Sequence, residues 1–125
     1  MLRILLIDDD EMLRNVLAKT LSYAGHTVIQ AADGQQGVEL SRVTPVDIVI
    51  TDLVMPVKEG VETILILKRE RPTLPIIAIS GGVSNSKLYL EIAGKIGARR
   101  IVAKPFSPQE LLQHVNEVMA ESQEK

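Results

Sequence analysis

The chain has 125 residues, 46% of them hydrophobic and 24% charged, which is the size and composition of one globular domain. Its net charge of −2 gives no reason to expect nucleic acid or an anionic membrane as a partner. The lack of cysteine excludes disulfides, thiolate catalysis and zinc–thiolate sites. Neither a signal-peptide pattern nor an apolar run of about 20 residues is found, so we expect a soluble cytoplasmic protein.

The first part of the chain alternates strand and helix patterns. Arg3–Ile7 is an apolar run typical of a buried strand, and the leucine and valine residues after it recur at helical spacing until Gly25. Thr27–Ala31 predicts a short second strand. Asp33 and Gln36 have the spacing of a capping box, which predicts the start of a second helix.

A third apolar run, Asp47–Asp52, precedes a turn at Pro56. Its continuous apolar character is typical of a strand buried on both faces of a parallel sheet. Asp52 then lies at the carboxyl end of a central strand, where open α/β sheets bind ligands. A carboxylate there is a metal ligand, a nucleophile or a helix cap, and this stretch alone leaves the three readings open.

The rest of the chain continues the alternation. A third helix ends before Pro72, and Pro75–Ser80 predicts the fourth strand. A fourth helix stops at Gly97 and is followed by a fifth strand, Arg100–Lys104. Ser107 precedes a proline and then, at the third helical position, a glutamate, which together strongly predict the start of a last helix.

Five strand–helix alternations predict one α/β domain with a doubly wound, five-stranded parallel sheet and helices on both faces. Right-handed crossovers favour the flavodoxin-like strand order 2-1-3-4-5. We expect the domain to span residues 1–121, with the last helix ending near Ala120 and residues 122–125 forming a polar tail. Whether the chain is a complete protein or a part of a longer one is left open by its sequence.

In this strand order three carboxylates, those of Asp8, Asp9 and Asp52, meet at one end of the sheet. Like charges raise one another's pKa values unless a cation offsets them, and either a divalent metal or Lys104 could do so. A ligand set made only of oxygen favours Mg²⁺ or Mn²⁺. The alternative for the run of acids after the first strand is helix capping, for which one acid would be enough.

Ser80 and Lys104 end the next two strands at the same side of the predicted sheet. Alone, each is better explained as a turn residue or a surface lysine. Beside a metal–carboxylate site, however, a hydroxyl and an ammonium group suit a transferred phosphoryl group, whose oxygens need charge neutralisation and a hydrogen-bond donor. Asp52 would then be the nucleophile that forms an acyl phosphate.

Over essentially all 125 residues, the chain resembles a response-regulator receiver domain, the phosphoacceptor module of two-component signalling. The resemblance is carried by four motifs in order: Asp8-Asp9, Thr51-Asp52-Leu53-Val54-Met55-Pro56, Ser80-Gly81 and Lys104-Pro105-Phe106. It implies phosphorylation of Asp52 and Mg²⁺ held by Asp9, Asp52 and the backbone carbonyl of Val54, with Asp8 acting through water. It further implies phosphoryl contacts and switching by Ser80, Gly81 and Lys104, and a cis peptide bond before Pro105.

The resemblance also implies partners. A sensor histidine kinase or a histidine phosphotransfer protein donates the phosphoryl group, and an unknown downstream protein reads a surface around the fourth helix, fifth strand and fifth helix. The resemblance further implies that the domain catalyses only its own Mg-dependent phosphorylation and dephosphorylation. Many receivers carry Tyr or Phe where Ile101 lies on that surface, and Asp where this chain has Glu59. Val54 and Gly82 offer no polar side chain, so we expect neither to assist hydrolysis.

Three alternative functions are compatible with parts of this pattern. A haloacid-dehalogenase-like phosphatase would use the Asp-x-Asp pattern of Asp8 and Asp10, but it needs a further acidic motif after Lys104 and leaves Asp52 unexplained. A flavodoxin-like nucleotide-binding site would use Ser80-Gly81-Gly82-Val83-Ser84 as a phosphate cradle, but such sites usually use the loop after the first strand, where this chain has three acids that repel phosphate. A degenerate receiver that acts only in docking is disfavoured by the presence of every key residue.

Overall fold

The computed structural model describes residues 1–53, 59–80, 91 and 94–123. Five parallel strands form one sheet in the order β2-β1-β3-β4-β5, which confirms the predicted doubly wound topology. The strands are β1 (Arg3–Ile7), β2 (Thr27–Ala31), β3 (Ile48–Asp52), β4 (Ile76–Ser80) and β5 (Arg100–Ala103). All five predicted strands are present, although β3 and β4 each begin one residue later and β5 ends one residue earlier than the sequence predicted.

The helices alternate with these strands as predicted. They are α1 (Glu11–Tyr23), α2 (Gly34–Val43), α3 (Glu59–Glu70) and a C-terminal helix, Pro108–Gln123. Residues 91 and 94–96 are helical and belong to the predicted helix between β4 and β5, whose other residues lie outside the described part of the chain. Within the described ranges, no helix combines the length and the apolar character that a membrane crossing requires.

Two apolar cores lie on opposite faces of the sheet because successive side chains of a strand point to opposite sides. Leu5 and Ile7 belong to the core under α2 and α3, whereas Ile4 and Leu6 belong to the core under α1 and the C-terminal helix. All four side chains are fully buried. Each such side chain stabilises the fold by about 1.5–3 kcal/mol relative to an exposed position, so the β1 framework below the site is rigidly packed.

Side-chain caps start three of the helices. The Asp10 carboxylate accepts from the Leu13 amide at 3.1 Å and begins α1. Asp33 accepts from the Gln36 amide as predicted, but the Gln36 side chain accepts from the amide of Ala32, one residue before the N-cap.

The C-terminal helix starts with the complete capping box that the sequence predicted. The Glu110 amide donates to Ser107 Oγ at 3.1 Å, and the Ser107 amide donates to Glu110 Oε1 at 3.0 Å. The helix runs to Gln123, beyond its predicted end near Ala120. An ion pair between Arg100 Nη2 and Glu121 Oε2, 2.7 Å apart, explains the longer helix because it fixes the last turn to β5.

Candidate functional site

The strand register brings the chemistry-bearing residues to one end of the sheet. Ile7 pairs with Thr51 across β1 and β3, so Asp8 and Asp52 are the next residues of neighbouring strands. Asp52 pairs with Ile79, and Ser80 pairs with Ala103, directly before Lys104. Parallel strands therefore end in one layer, and their carboxyl ends present these groups together.

Asp52 is the buried acid at the centre of this layer. Asp52 is only 2% exposed, and one of its carboxylate oxygens, Oδ2, lies 3.2 Å from Lys104 Nζ. The Lys104 side chain is still 31% exposed, so its ammonium group reaches the acid from the solvent side. The opposite charges of the two groups attract each other, and a carboxylate held in this way can act as a nucleophile.

Asp8 is fully buried beside this pair. Burial is the main cause that raises the pKa of the Asp8 carboxyl group to about 6, with smaller upward contributions from the charges of Asp52 and Asp9. The Asp10 amide, which donates to Asp8 Oδ1 at 2.9 Å, and the charge of Lys104 act in the opposite direction. The second oxygen, Oδ2, is buried and has no hydrogen-bond partner among the described residues.

These carboxylates fit a divalent cation. Asp8, Asp9 and Asp52 each offer an oxygen, and the three oxygens lie within 4.8 Å of one another. Asp9 is exposed whereas the other two are buried, so the group opens to solvent on one side. Mg²⁺ and Mn²⁺ prefer ligand sets made only of oxygen, whereas zinc and copper do not. A cation here would also give the buried Oδ2 of Asp8 the partner that it lacks among the described residues.

The three consecutive acids after β1 divide into two roles by position. Asp10 caps α1 through Leu13, so the capping alternative raised by the sequence is correct for this residue. Asp8 and Asp9 lie outside the helix and belong to the carboxylate group with Asp52. The acid that caps α1 is the one directly before its first helical residue. Sequence patterns predict the ends of a helix less well than its interior.

Ser80 ends β4 with its side chain directed into the interior. The residue is 2% exposed, and its Oγ has no hydrogen-bond partner within the described ranges. Its carbonyl oxygen accepts from the Lys104 amide at 2.9 Å, which ties the two residues together through the backbone. A buried hydroxyl without a partner is costly, and such groups are often kept for a ligand or a moving charge.

The structure describes only some of the remaining predicted site residues. The Lys104–Pro105 peptide bond is cis. Ile101 is partly buried and packs against the core under α2 and α3. Val54, Gly81 and Gly82 lie outside the described residues, so their predicted roles stay predictions.

Two residues that contact the site were not singled out from the sequence. Arg14 on α1 donates from Nη1 to the backbone carbonyl of Asp8 at 2.7 Å. Gly60 on α3 lies so close to β3 that a Cβ atom added there would be 2.7 Å from Leu53 Cα and would also collide with the Asp52 carbonyl oxygen. Glycine permits this close approach because it lacks a Cβ atom, and the residue type is the only signal of the approach that the sequence offers.

Comparisons with known proteins agree with this geometry. Residues 4–116 match the family described as the response regulator receiver domain. The transcriptional regulatory protein CpxR of Escherichia coli (strain K12) is 32% identical over 120 residues, which are 96% of this chain and 50% of that protein. The chain thus spans about half the length of such curated relatives.

Two solved structures are similar to this chain over nearly their full length. The chemotaxis protein CheY4 of Vibrio cholerae has a TM-score of 0.86 at 29% identity and is covered to 98%, with 94% of this chain matched. A CheY-like receiver domain from Methanospirillum hungatei JF-1 has a TM-score of 0.89 at 25% identity, covering 99% of this chain and 98% of that one. The family match, the strand order and the acidic end of the sheet agree: this chain belongs to the response regulator receiver domains of two-component signalling systems.

Proposed function

We propose that Asp52 accepts a phosphoryl group from a sensor histidine kinase or a histidine phosphotransfer protein, in a reaction that depends on Mg²⁺ or Mn²⁺. The observation that carries this proposal is the 3.2 Å contact between Lys104 Nζ and Asp52 Oδ2 beside the three-carboxylate group. That arrangement supplies a nucleophile, a fixed positive charge and a place for a divalent cation within one small site.

In the transfer, a carboxylate oxygen of Asp52 attacks the phosphorus atom of a phosphohistidine. A P–O bond forms and the P–N bond breaks, and the donor imidazole keeps the bonding electron pair as it leaves. Lys104 is already at Asp52 Oδ2, so a short movement of its ammonium group brings it to an oxygen of the new acyl phosphate. The unpartnered Ser80 hydroxyl supports a second contact, in which Oγ donates to another phosphoryl oxygen.

For the metal, the proposed ligands are Asp9, Asp52 and the backbone carbonyl of Val54, with Asp8 acting through a water molecule. When bound, Mg²⁺ would neutralise charge on the phosphoryl oxygens during transfer. The unpartnered oxygen of Asp8 supports its place beside the metal, and the exposed side chain of Asp9 supports entry of the cation from solvent. The same group would serve the loss of phosphate from Asp52, to which Val54 and Gly82 add no polar side chain.

The output is a shift between two arrangements of one surface. Phosphorylation adds about one negative charge at Asp52, which attracts Ser80 and Lys104 and shifts the segment that begins with Gly81. The surface formed by the predicted fourth helix, β5 with Ile101, and the C-terminal helix would then be read by a downstream protein. The Ser80–Lys104 backbone contact supports this route because it links the two strand ends that respond.

Several wider features belong to the same proposal. The receiver domain spans residues 1–121, it works in the cytoplasm, and its only catalysis is its own phosphorylation and dephosphorylation. The relatives named as transcriptional regulators are about twice as long as the matched region. Given its net charge of −2, we propose neither nucleic acid nor an anionic membrane as a partner of this receiver unit.

The test is the intact mass of the protein after incubation with Mg²⁺ and acetyl phosphate. Wild type should gain one phosphoryl group, and omission of Mg²⁺ or the substitution Asp52→Asn should abolish the gain. Glu39→Gln, an acid on the exposed side of α2, is the matched control and should behave as wild type. A gain that survives in Asp52→Asn but disappears in Asp8→Asn would favour the phosphatase-like alternative and overturn the proposal.

The proposed absence of hydrolytic help from Val54 is tested separately. Phosphorylated wild type and Val54→Ala are freed of phosphodonor, and the loss of the phosphoryl group is followed by mass. The two proteins should lose phosphate at similar rates. A large slowing in Val54→Ala would show that this side chain does assist hydrolysis.

A further inference from the structure

Arg14 makes contacts that the proposed phosphoryl chemistry does not use. Its side chain is half-buried on α1, one turn beyond the Asp10 cap. Nη1 donates to the backbone carbonyl oxygen of Asp8 at 2.7 Å, and Nε donates to Gln30 Oε1 on β2 at 3.0 Å. The guanidinium therefore joins the helix, the second strand and the peptide group that connects Asp8 to Asp9.

That peptide group is held on the other side as well. The Asp8 amide donates to the Ala31 carbonyl oxygen at 3.1 Å, which continues the pairing of β1 with β2 for one residue. With Arg14 on the Asp8 carbonyl, both polar groups of the Asp8 backbone are bonded. Because a peptide bond is planar, fixing the Asp8 carbonyl also fixes the direction in which the chain enters Asp9.

This constraint matters for the two carboxylates differently. Asp8 is buried and its Oδ1 is held by the Asp10 amide, so packing already limits its motion. Asp9 is exposed, and an exposed side chain depends on its backbone for a defined position. Arg14 is not placed as an ion-pair partner of the acids, since among the described residues its side chain bonds to a backbone carbonyl oxygen and to a side-chain amide oxygen.

We propose that Arg14 is a positioning residue that orients the Asp9 carboxylate for the divalent cation by clamping the Asp8 carbonyl to Gln30. This inference rests on the proposed metal-dependent function and adds a residue to it. Groups that orient metal ligands typically change affinity by about 10–100-fold when removed. We therefore expect Arg14→Ala to weaken Mn²⁺ binding about ten-fold or more.

The direction of the change in Mn²⁺ affinity distinguishes a positioning role of Arg14 from an effect of its charge. Removing a positive charge near a cation site would, by electrostatics alone, strengthen cation binding. Loss of the clamp weakens it instead. Arg14→Lys keeps the charge but not the forked geometry that bonds two acceptors at once, so it should also bind Mn²⁺ more weakly than wild type. Arg69→Ala, which removes an exposed arginine of α3, is the matched control and should bind as wild type.

Free Mn²⁺ is measured by its electron paramagnetic resonance signal in titrations of each folded variant, without phosphodonor. Gln30→Ala removes the second acceptor of Arg14 and should weaken Mn²⁺ binding in the same direction but less. This variant keeps the inference testable if the Arg14 variants do not fold. In the metal-free proteins, NMR hydrogen exchange at the Asp8 amide, which donates to the Ala31 carbonyl oxygen, should be faster in Arg14→Ala than in wild type, because the backbone of Asp8 has lost its other hydrogen bond.

Failure of this inference is distinguishable from failure of the proposed function. Equal or tighter Mn²⁺ binding by Arg14→Ala, while Asp9→Asn binds weakly, would overturn the role of Arg14 and leave the metal site intact. Absence of Mn²⁺ binding in wild type would overturn both. Unchanged exchange at the Asp8 amide of Arg14→Ala would also overturn the clamp, since that measurement requires no metal.

Discussion

Replacing the buried Asp8 by asparagine should make the metal-free protein more stable at neutral pH. The pKa of Asp8 rises from 3.8 to about 6 on folding, chiefly through burial. A difference of about 2 pKa units corresponds to about 3 kcal/mol of free energy of unfolding that the ionised carboxylate costs at pH 7. Asparagine keeps an oxygen for the Asp10 amide but has an amide group to satisfy, so we expect a net gain of about 1–3 kcal/mol.

The pH dependence of this gain follows from the direction of the shift. A raised pKa means that folded Asp8 holds its proton more tightly than the unfolded chain does. Wild type therefore keeps its full stability relative to Asp8→Asn below about pH 4 and loses it progressively as the pH rises to about 6. Above that pH the advantage of Asp8→Asn is complete and constant.

The assay is urea unfolding followed by far-ultraviolet circular dichroism in the presence of EDTA, at pH 4 and pH 7. At pH 7 the midpoint of Asp8→Asn should exceed that of wild type by about 1 M urea, since the urea dependence of small domains is about 1–3 kcal/mol per M. Asp9→Asn, at the exposed neighbouring acid, is the control and should change the midpoint little. A midpoint of Asp8→Asn at or below that of wild type at pH 7, or an equal gain at both pH values, would refute the reasoning.

Three further predictions concern stability. Gly60→Ala should lower the free energy of unfolding by about 2 kcal/mol or more, because the added methyl group meets the β3 backbone; an unchanged urea midpoint would contradict the close approach. Ser107→Ala should lower it by about 1 kcal/mol through loss of the cap on the Glu110 amide, whereas Ser107→Asp should largely restore it in the same assay. Burial and then the N-terminal charge lower the pKa of His26, whose Nδ1 accepts from the Leu2 amide. Wild type should therefore lose stability relative to His26→Gln as the pH falls below about 6.5, and parallel pH profiles would contradict this.

Much of the fold could be predicted because the strands are buried on both faces and so appear as continuous apolar runs. Ile48–Asp52 and Ile76–Ser80 are buried at every residue, and such runs have few alternatives. The alternation with helices then fixed the order of the sheet, and with it the meeting of Asp8 and Asp52. Local signals predicted the helix starts equally well, since Ser107 and Glu110 need only each other.

The details that escaped prediction depend on distances between elements. The contact of Arg14 with Asp8 and Gln30 joins α1, β1 and β2, and no local pattern encodes where a long side chain finds an acceptor. The Gln36 side chain accepts from the amide of Ala32 rather than from that of the N-cap residue, Asp33. Propensity cannot resolve this difference of one residue. The end of the C-terminal helix likewise depends on Arg100 reaching from another element.

Arg100 has a consequence for how the domain meets a second copy of itself. β5 is an edge strand of the sheet, and an edge strand exposes unpaired backbone groups to which a strand of another chain can add. Here that strand has four residues, and it carries an arginine whose charge is offset by Glu117 and Glu121 of the C-terminal helix. A short strand bearing a fixed ion-pair cluster resists extension of the sheet into a neighbouring molecule. On this side of the domain, self-association would have to proceed through helix surfaces and not through a continuous sheet.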